Sequence, residues 1–179
     1  MSILSASVQK TRAEVDKNKM KRVAANDPVA LRKMGQKHYI EGDYESAFEY
    51  WAKAAELGDV DAHYHLSIFY HEGEGVEKDE KKELYHLEEA AIAGHPGARY
   101  SLALCEGSKD RIDRAVKHWI ITANHGCEKS IQMLKECYAI GEVSKEDFAA
   151  ALRAHQAAVD ATKSPHREAA EKVNHPHGN

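Results

Sequence analysis

A small residue, three spacers and a large apolar residue recur four times along this chain, as Ala30–Met34, Ala62–Leu66, Ala98–Leu102 and Ser130–Leu134. Their starts stand 32, 36 and 32 residues apart. A period of roughly 20–50 residues is the mark of a repeat architecture. A second series moves with the first. Ala54-Ala55-Glu-Leu-Gly58, Ala90-Ala91-Ile-Ala-Gly94 and Thr122-Ala123-Asn-His-Gly126 step by 36 and 32, and a bulky residue (Trp51, Leu87, Trp119) stands three places ahead of each.

The period changes at one place. Anchor and bulky residue are 21 apart in units one and three but 25 apart in unit two. The four extra residues fall where Gly73-Glu-Gly75-Val-Glu-Lys-Asp79 replaces the tight Gly42-Asp43. A solenoid tolerates a longer connection, because the helix registers on either side are unchanged.

Each unit therefore reads as two helices. Asp27-Pro28 starts the first, an N-cap acid followed by proline at the first helical position. That helix ends near Gly42, and residues 44–57 form its partner, closed by Gly58. Further pairs are predicted over 60–72 and 80–93, over 96–106 and 110–125, and over 128–140 and 144–162. The last helix is lengthened, as a cap would be. Ala47, Ala54, Ala90, Ala115 and Ala123 are expected where helix backbones approach closely, and Trp51 and Trp119 in the wider gaps. The predicted fold is all-α, an α-solenoid of about four antiparallel helix pairs with an N-terminal helix and a C-terminal capping helix. Its segments are a basic amphipathic helix over 1–26, units 27–58, 59–94, 95–126 and 127–162, and a disordered tail over 163–179. Leu4, Val8, Val15 and Val23 are expected to face inward.

Composition narrows the function. The chain has 42% hydrophobic and 30% charged residues, and three of its four prolines (Pro96, Pro165, Pro176) sit in connections or the tail, which suits an all-helical protein. A net charge of −4 and a pI near 6.3 argue against general nucleic-acid binding. The basic residues Lys10, Arg12, Lys17, Lys19, Lys21 and Arg22 read as the solvated face of the leading helix. No apolar run is long enough to span a membrane, and the N-terminus lacks the basic region of a signal peptide. Cys105, Cys127 and Cys137 cannot all pair and show no CxxC spacing, so a cytoplasmic or nuclear setting is expected.

The motifs that could carry chemistry have structural readings. Gly73-Glu-Gly75 lies between two helices and lacks the lysine of a phosphate loop. Ser7-Val-Gln-Lys10 fits an SxxK pattern, but neither SDN nor KTG follows. His63 and His65 stand about 200° apart around one helix and cannot share a metal ion. His86 and His118 hold equivalent places in successive units, which points to packing. His125 beside Cys127 straddles a helix end and reads as structural. No catalytic residue, cofactor or metal is therefore expected.

The string Gly73-x-Gly75-Val76-x-x-Asp79-x-x-Lys82, closing on Ala90-Ala91-x-x-Gly94, resembles the Sel-1-like repeat, a relative of the tetratricopeptide repeat. Unit one, with Gly35, Gly42, Ala47 and Ala54, is similar to the shorter tetratricopeptide unit, and the resemblance covers about residues 28–162. It implies a solenoid whose first helices line a concave, protein-binding surface in adaptors of quality control, degradation complexes and signalling. Some family members carry a zinc-binding ligase module ahead of the repeats, but the 26 residues here hold no cysteine. A disulfide-stapled branch is associated with secretion and penicillin binding, and its paired cysteines are missing here.

If the first helices line a groove, its positions recur with the anchors. Arg32, Tyr64, Tyr100 and Gln132 follow them by two residues, and Gln36, Ile68, Leu104 and Glu136 by six. Tyr39 and His71 come in the next turn. The expected function is a non-catalytic adaptor or scaffold holding a protein or peptide partner on Arg32, Gln36, Tyr39, Tyr64, Ile68, His71, Tyr100 and Gln132, with Tyr64 and Tyr100 as leading contacts. The competing view of the two tyrosines is packing between units. Rival functions are a self-assembly module and a thiol- or metal-dependent hydrolase, and membership of a larger complex stays open.

Overall fold

The computed structural model describes the backbone of residues 3–162 and the side chains of residues 14–162. The expected tail over 163–179 and the placing of Leu4 and Val8 lie outside those limits. Among the described residues there are nine helices and no strand. They are α1 (Ile3–Ala24), α2 (Pro28–Ile40), α3 (Tyr44–Glu56), α4 (Val60–Glu72), α5 (Glu80–Ile92), α6 (Pro96–Ser108), α7 (Ile112–Ala123), α8 (Glu128–Ala139) and α9 (Lys145–Thr162). The chain divides into two compact units, Met1–His95 and Pro96–Asn179.

The recurrent motifs have local causes. Asp27, Asp43, Asp59 and Asp79 cap α2 to α5, each carboxylate accepting from backbone N–H groups two or three residues on, at 2.8–3.1 Å. Capping of this kind is worth about 1 kcal/mol per helix. The second sequence series is a chain-reversal device. Gly58 sits at φ +83°, where its N–H bonds Ala55 O at 2.8 Å and the next N–H, of Asp59, reaches back to Ala54 O at 3.0 Å. Ala90–His95 and Thr122–Cys127 repeat that pair of bonds. This Schellman closure stops one helix, and Asp59 starts the next in the same three-residue turn.

In the first unit α2 packs on α3, α3 on α4 and α4 on α5, with α1 against α2. Leu31, Trp51, Leu66 and Phe69 are at most 1% exposed and form the centre of the core. Ala47, Ala54, Ala62 and Ala90 are fully buried, as close backbone approach demands. The long turn folds back over the start of α3. Val76 joins the core from it, and Gly75, at φ +68°, passes so close that a Cβ would stand 3.0 Å from the Tyr44 carbonyl. The four extra residues of unit two thus form a plug.

In the second unit α6 packs on α7, α7 on α8, and α9 on both α7 and α8. Trp119, Ile131, Leu134 and Cys137 lie in its core. Here Thr122 and Ser130 stand where the first unit has Ala54 and Ala62. Both hydroxyls are buried and satisfied, bonding each other at 2.6 Å while Thr122 also donates to His118 O.

One expectation needs correction. Val15 is 60% exposed, so α1 does not turn it inward. Among the described side chains of α1, Val23 near its end reaches the core. Val15 projects about 80° from Val23 around the helix, between Arg22 and Lys19, so it does not share the stripe through which Val23 is buried.

Candidate functional site

Helix α4 presents two different faces to its neighbours, because residues two apart point in nearly opposite directions. On one face His65, Ile68 and Phe69 meet Gln36 and Tyr39 of α2 over the edge of Trp51. Together they line a cavity of about 220 Å³. Its floor is aromatic. His65 stacks on Trp51 with centroids 4.3 Å apart, Phe69 meets the same indole edge-on at 5.1 Å, and Tyr39 leans on it at 5.7 Å. Trp51 is fixed there by donating from Nε1 to Arg32 O at 3.1 Å.

The predicted groove residues are thus brought together only in part. Gln36, Tyr39 and Ile68 share this cavity. Arg32 spans from α2 to the start of α4, its guanidinium 3.1 Å from both Asp59 and Asp61. Tyr64 stacks on His95 at 4.3 Å, and His95 in turn lies 3.6 Å from Asp61. His71 bonds Glu83 of α5 at 3.1 Å, away from the cavity. In the second unit Tyr100 is half-buried against the core and Gln132 is exposed. Burial, with the nearby Cys127 and Glu136, raises the Tyr100 phenol.

Sequence reasoning missed His65 and Phe69 as lining residues, although both lie on the Ala62 face of α4 at helical spacing. It also missed the other face, where His63, Leu66 and Tyr70 meet Phe48 of α3 and Tyr85 and His86 of α5 around a cavity of about 480 Å³. The recurrence of histidine at positions 86 and 118 was the available signal.

Burial, reinforced by His63 and Lys82, lowers the His86 imidazole to about 4. Burial also lowers His65, His95 and, in the second unit, His118. A base whose folded pKa lies below its unfolded value takes up its proton more readily in the unfolded chain. Stability should therefore be intact at neutral pH and decline as pH falls from 6.5 toward about 4. Urea midpoints across that range should show the decline, and His86→Asn should flatten it. An unchanged slope in the variant would rule out His86 as a source.

Among the described residues, no group of three or more His, Cys, Asp or Glu is placed to hold a metal ion. No described helix is long and apolar enough to cross a membrane. Cys137 is buried, and burial raises its thiol.

Capped helix pairs with buried alanines at their crossings define the repeat, and the Sel1 repeat family model matches residues 28–59 and 60–95. Residues 28–95 are a pair of Sel1 repeats. The fold likeness runs further than the matched repeats. A crystal structure of a Sel1 repeat protein from Oxalobacter formigenes superposes with a TM-score of 0.69 at 26% identity, over 84% of this chain and 64% of that one. The crystal structure of c5321, a protective antigen of uropathogenic Escherichia coli strains with an SLR fold, gives 0.67 at 23% identity, over 82% and 33% of the two chains. In sequence, the putative beta-lactamase HcpC from two strains of Helicobacter pylori is 38% identical over 60 and 56 residues. Those segments are 34% and 31% of this chain but only 21% and 19% of HcpC, so the chain matches about a fifth of these curated relatives. Sel1 repeats are generally protein-interaction scaffolds, and their fold is typically non-catalytic.

Proposed function

We propose that this protein is a non-catalytic scaffold or adaptor whose Sel1 repeats hold a peptide or protein partner on the face formed by the first helix of each pair. The observation that carries this reading is the aromatic cavity between α2 and α4. It is concave and mostly apolar, with Gln36 and His65 among its lining as polar side chains, which is the usual make-up of a pocket for one anchoring side chain. Its floor is held rigid by the Trp51 stack, so little ordering cost attaches to binding. Arg32 and Tyr64 flank it in the first unit, where His71 turns instead to Glu83, and Tyr100 and Gln132 are the positions in the second that correspond to Arg32 and Tyr64. Micromolar affinity, about −8 kcal/mol, suits a groove of this size. A role in quality control or signalling, in the cytoplasm or nucleus, is consistent with the family likeness and the unpaired number of cysteines.

The test compares partners captured by the wild type and by Tyr39→Ala/Ile68→Ala, with quantitative mass spectrometry and circular dichroism as the fold control. Both residues are partly exposed, so the variant should stay folded while bound partners fall about tenfold or more. A folded variant that keeps its full set of partners would sink the assignment. The beta-lactamase name of the HcpC relatives is not carried over, because Ser7-Val-Gln-Lys10 has no accompanying SDN or KTG.

A further inference from the structure

The second face of α4 is the more open of the two. The cavity of about 480 Å³ and a neighbouring one of about 460 Å³ both take Phe48 and Tyr70 as walls. They form one trough running along α4 between α3 and α5. It exists because α3 offers Ala52 and Ala55 where larger side chains would close it.

The floor is pre-set. His63 donates from Nε2 to Ala55 O at 3.2 Å, which leaves its Nδ1 to accept from His86 Nδ1–H at 3.0 Å. Burial holds the His86 imidazole neutral at physiological pH, so that ring sets no positive charge against an incoming cation. The walls are negative at one end. Glu56 and Glu89 line the first cavity, are exposed, and enter no ion pair among the described residues. Glu56 is the last residue of α3, so its carboxylate stands where that helix ends. At the other end charge is already balanced. Lys82 pairs with Asp79 at 3.8 Å and holds its ammonium 5.1 Å above the Tyr70 ring. That internal contact shows the chemistry this trough favours, and Tyr85, 53% exposed beside Glu89, offers an uncovered ring for the same use.

We infer that the α3–α5 trough is a second docking site, taking a peptide segment that presents a lysine or arginine to Glu56, Glu89 and Tyr85 and an aliphatic residue to Phe48 and Ala52. Charge complementarity selects the occupant. The unsatisfied charge is acidic, and the remaining surface is aromatic or aliphatic. This site shares no lining residue with the cavity between α2 and α4, so the two stand or fall separately.

The probe is an acetylated hexapeptide amide with one arginine among leucines and alanines, titrated into the full-length ¹⁵N-labelled chain. Its control carries glutamine in place of the arginine. The arginine peptide should shift the amides of Ala52, Ala55, Gly58 and Glu89 in a saturable way, and weaken as salt is raised. Glu56→Gln/Glu89→Gln should raise its Kd about fivefold, and Tyr85→Ala by a similar factor. Tyr39→Ala/Ile68→Ala should leave it unchanged. Equal shifts with both peptides, shifts centred on Gln36 and Ile68, or no saturable shift up to about 10 mM peptide would each overturn the inference.

Discussion

Gly35→Ala should cost about 2 kcal/mol of stability even though alanine is the better helix former. Gly35 is buried within α2, where alanine alone would gain about 1 kcal/mol. A Cβ added there would stand 2.5 Å from both Cδ1 and Nε1 of Trp51, well inside contact distance. The indole has nowhere convenient to go. His65 is stacked on it, Phe69 meets it edge-on, and Nε1 is bonded to Arg32 O. Overpacking of this kind costs about 1–3 kcal/mol, and a buried N–H forced off its acceptor costs about as much again. The second unit shows the alternative. At the corresponding position it has Ala103, fully buried, and its Trp119 keeps a buried Nε1 with no hydrogen-bond partner among the described residues. Gly35 is thus what lets Trp51 come close enough to reach a backbone carbonyl. Urea denaturation should give a lower midpoint for Gly35→Ala, with a melting temperature down by about 4–8 °C. An unchanged or raised midpoint would mean the indole relocates freely.

Much of this was legible in the sequence because repeats make local rules visible. The Ala-x-x-x-large anchors and the Ala-Ala-x-x-Gly closures fixed the helix registers, and burial of Ala62, Ala98, Trp51 and Trp119 follows from them. Proline and aspartate at 27–28 placed the start of α2 correctly. What was not legible depends on pairs far apart in the chain. Arg32 is a groove position by its spacing from the anchor, yet it meets Asp59 and Asp61, 27 and 29 positions on. Tyr64 looked like a contact residue and lies against His95. The plug formed by Val76 and Gly75 over Tyr44 could not be read from a longer spacing alone. The α3–α5 trough was hidden for the opposite reason. Phe48, Tyr70 and Tyr85 belong to neither repeat series, so the recurring histidine at 86 and 118 is the one mark the period leaves on that face.

Trp51→Ala should be the most damaging single substitution in the first unit, at about 4 kcal/mol. The side chain is 1% exposed and contacts α2, α4 and its own helix, so truncation removes both transfer energy and packing and leaves a large void. The more informative variant is phenylalanine. Trp51→Phe keeps most of the ring but deletes the Nε1–Arg32 O bond, and should cost about 1–2 kcal/mol. Trp119→Phe deletes a buried N–H that has no acceptor among the described residues, so loss of ring volume is offset by relief of an unsatisfied donor. Its cost should stay below about 1 kcal/mol. In a Gly35→Ala background the penalty of Trp51→Phe should shrink toward that of Trp119→Phe, because the hydrogen bond has already been lost. That non-additivity, read from urea midpoints of the four-member cycle, ties the glycine to the indole. Additive costs across the cycle would show that Gly35 and the Trp51 hydrogen bond act independently, and the contrast between the two tryptophans would then need another cause.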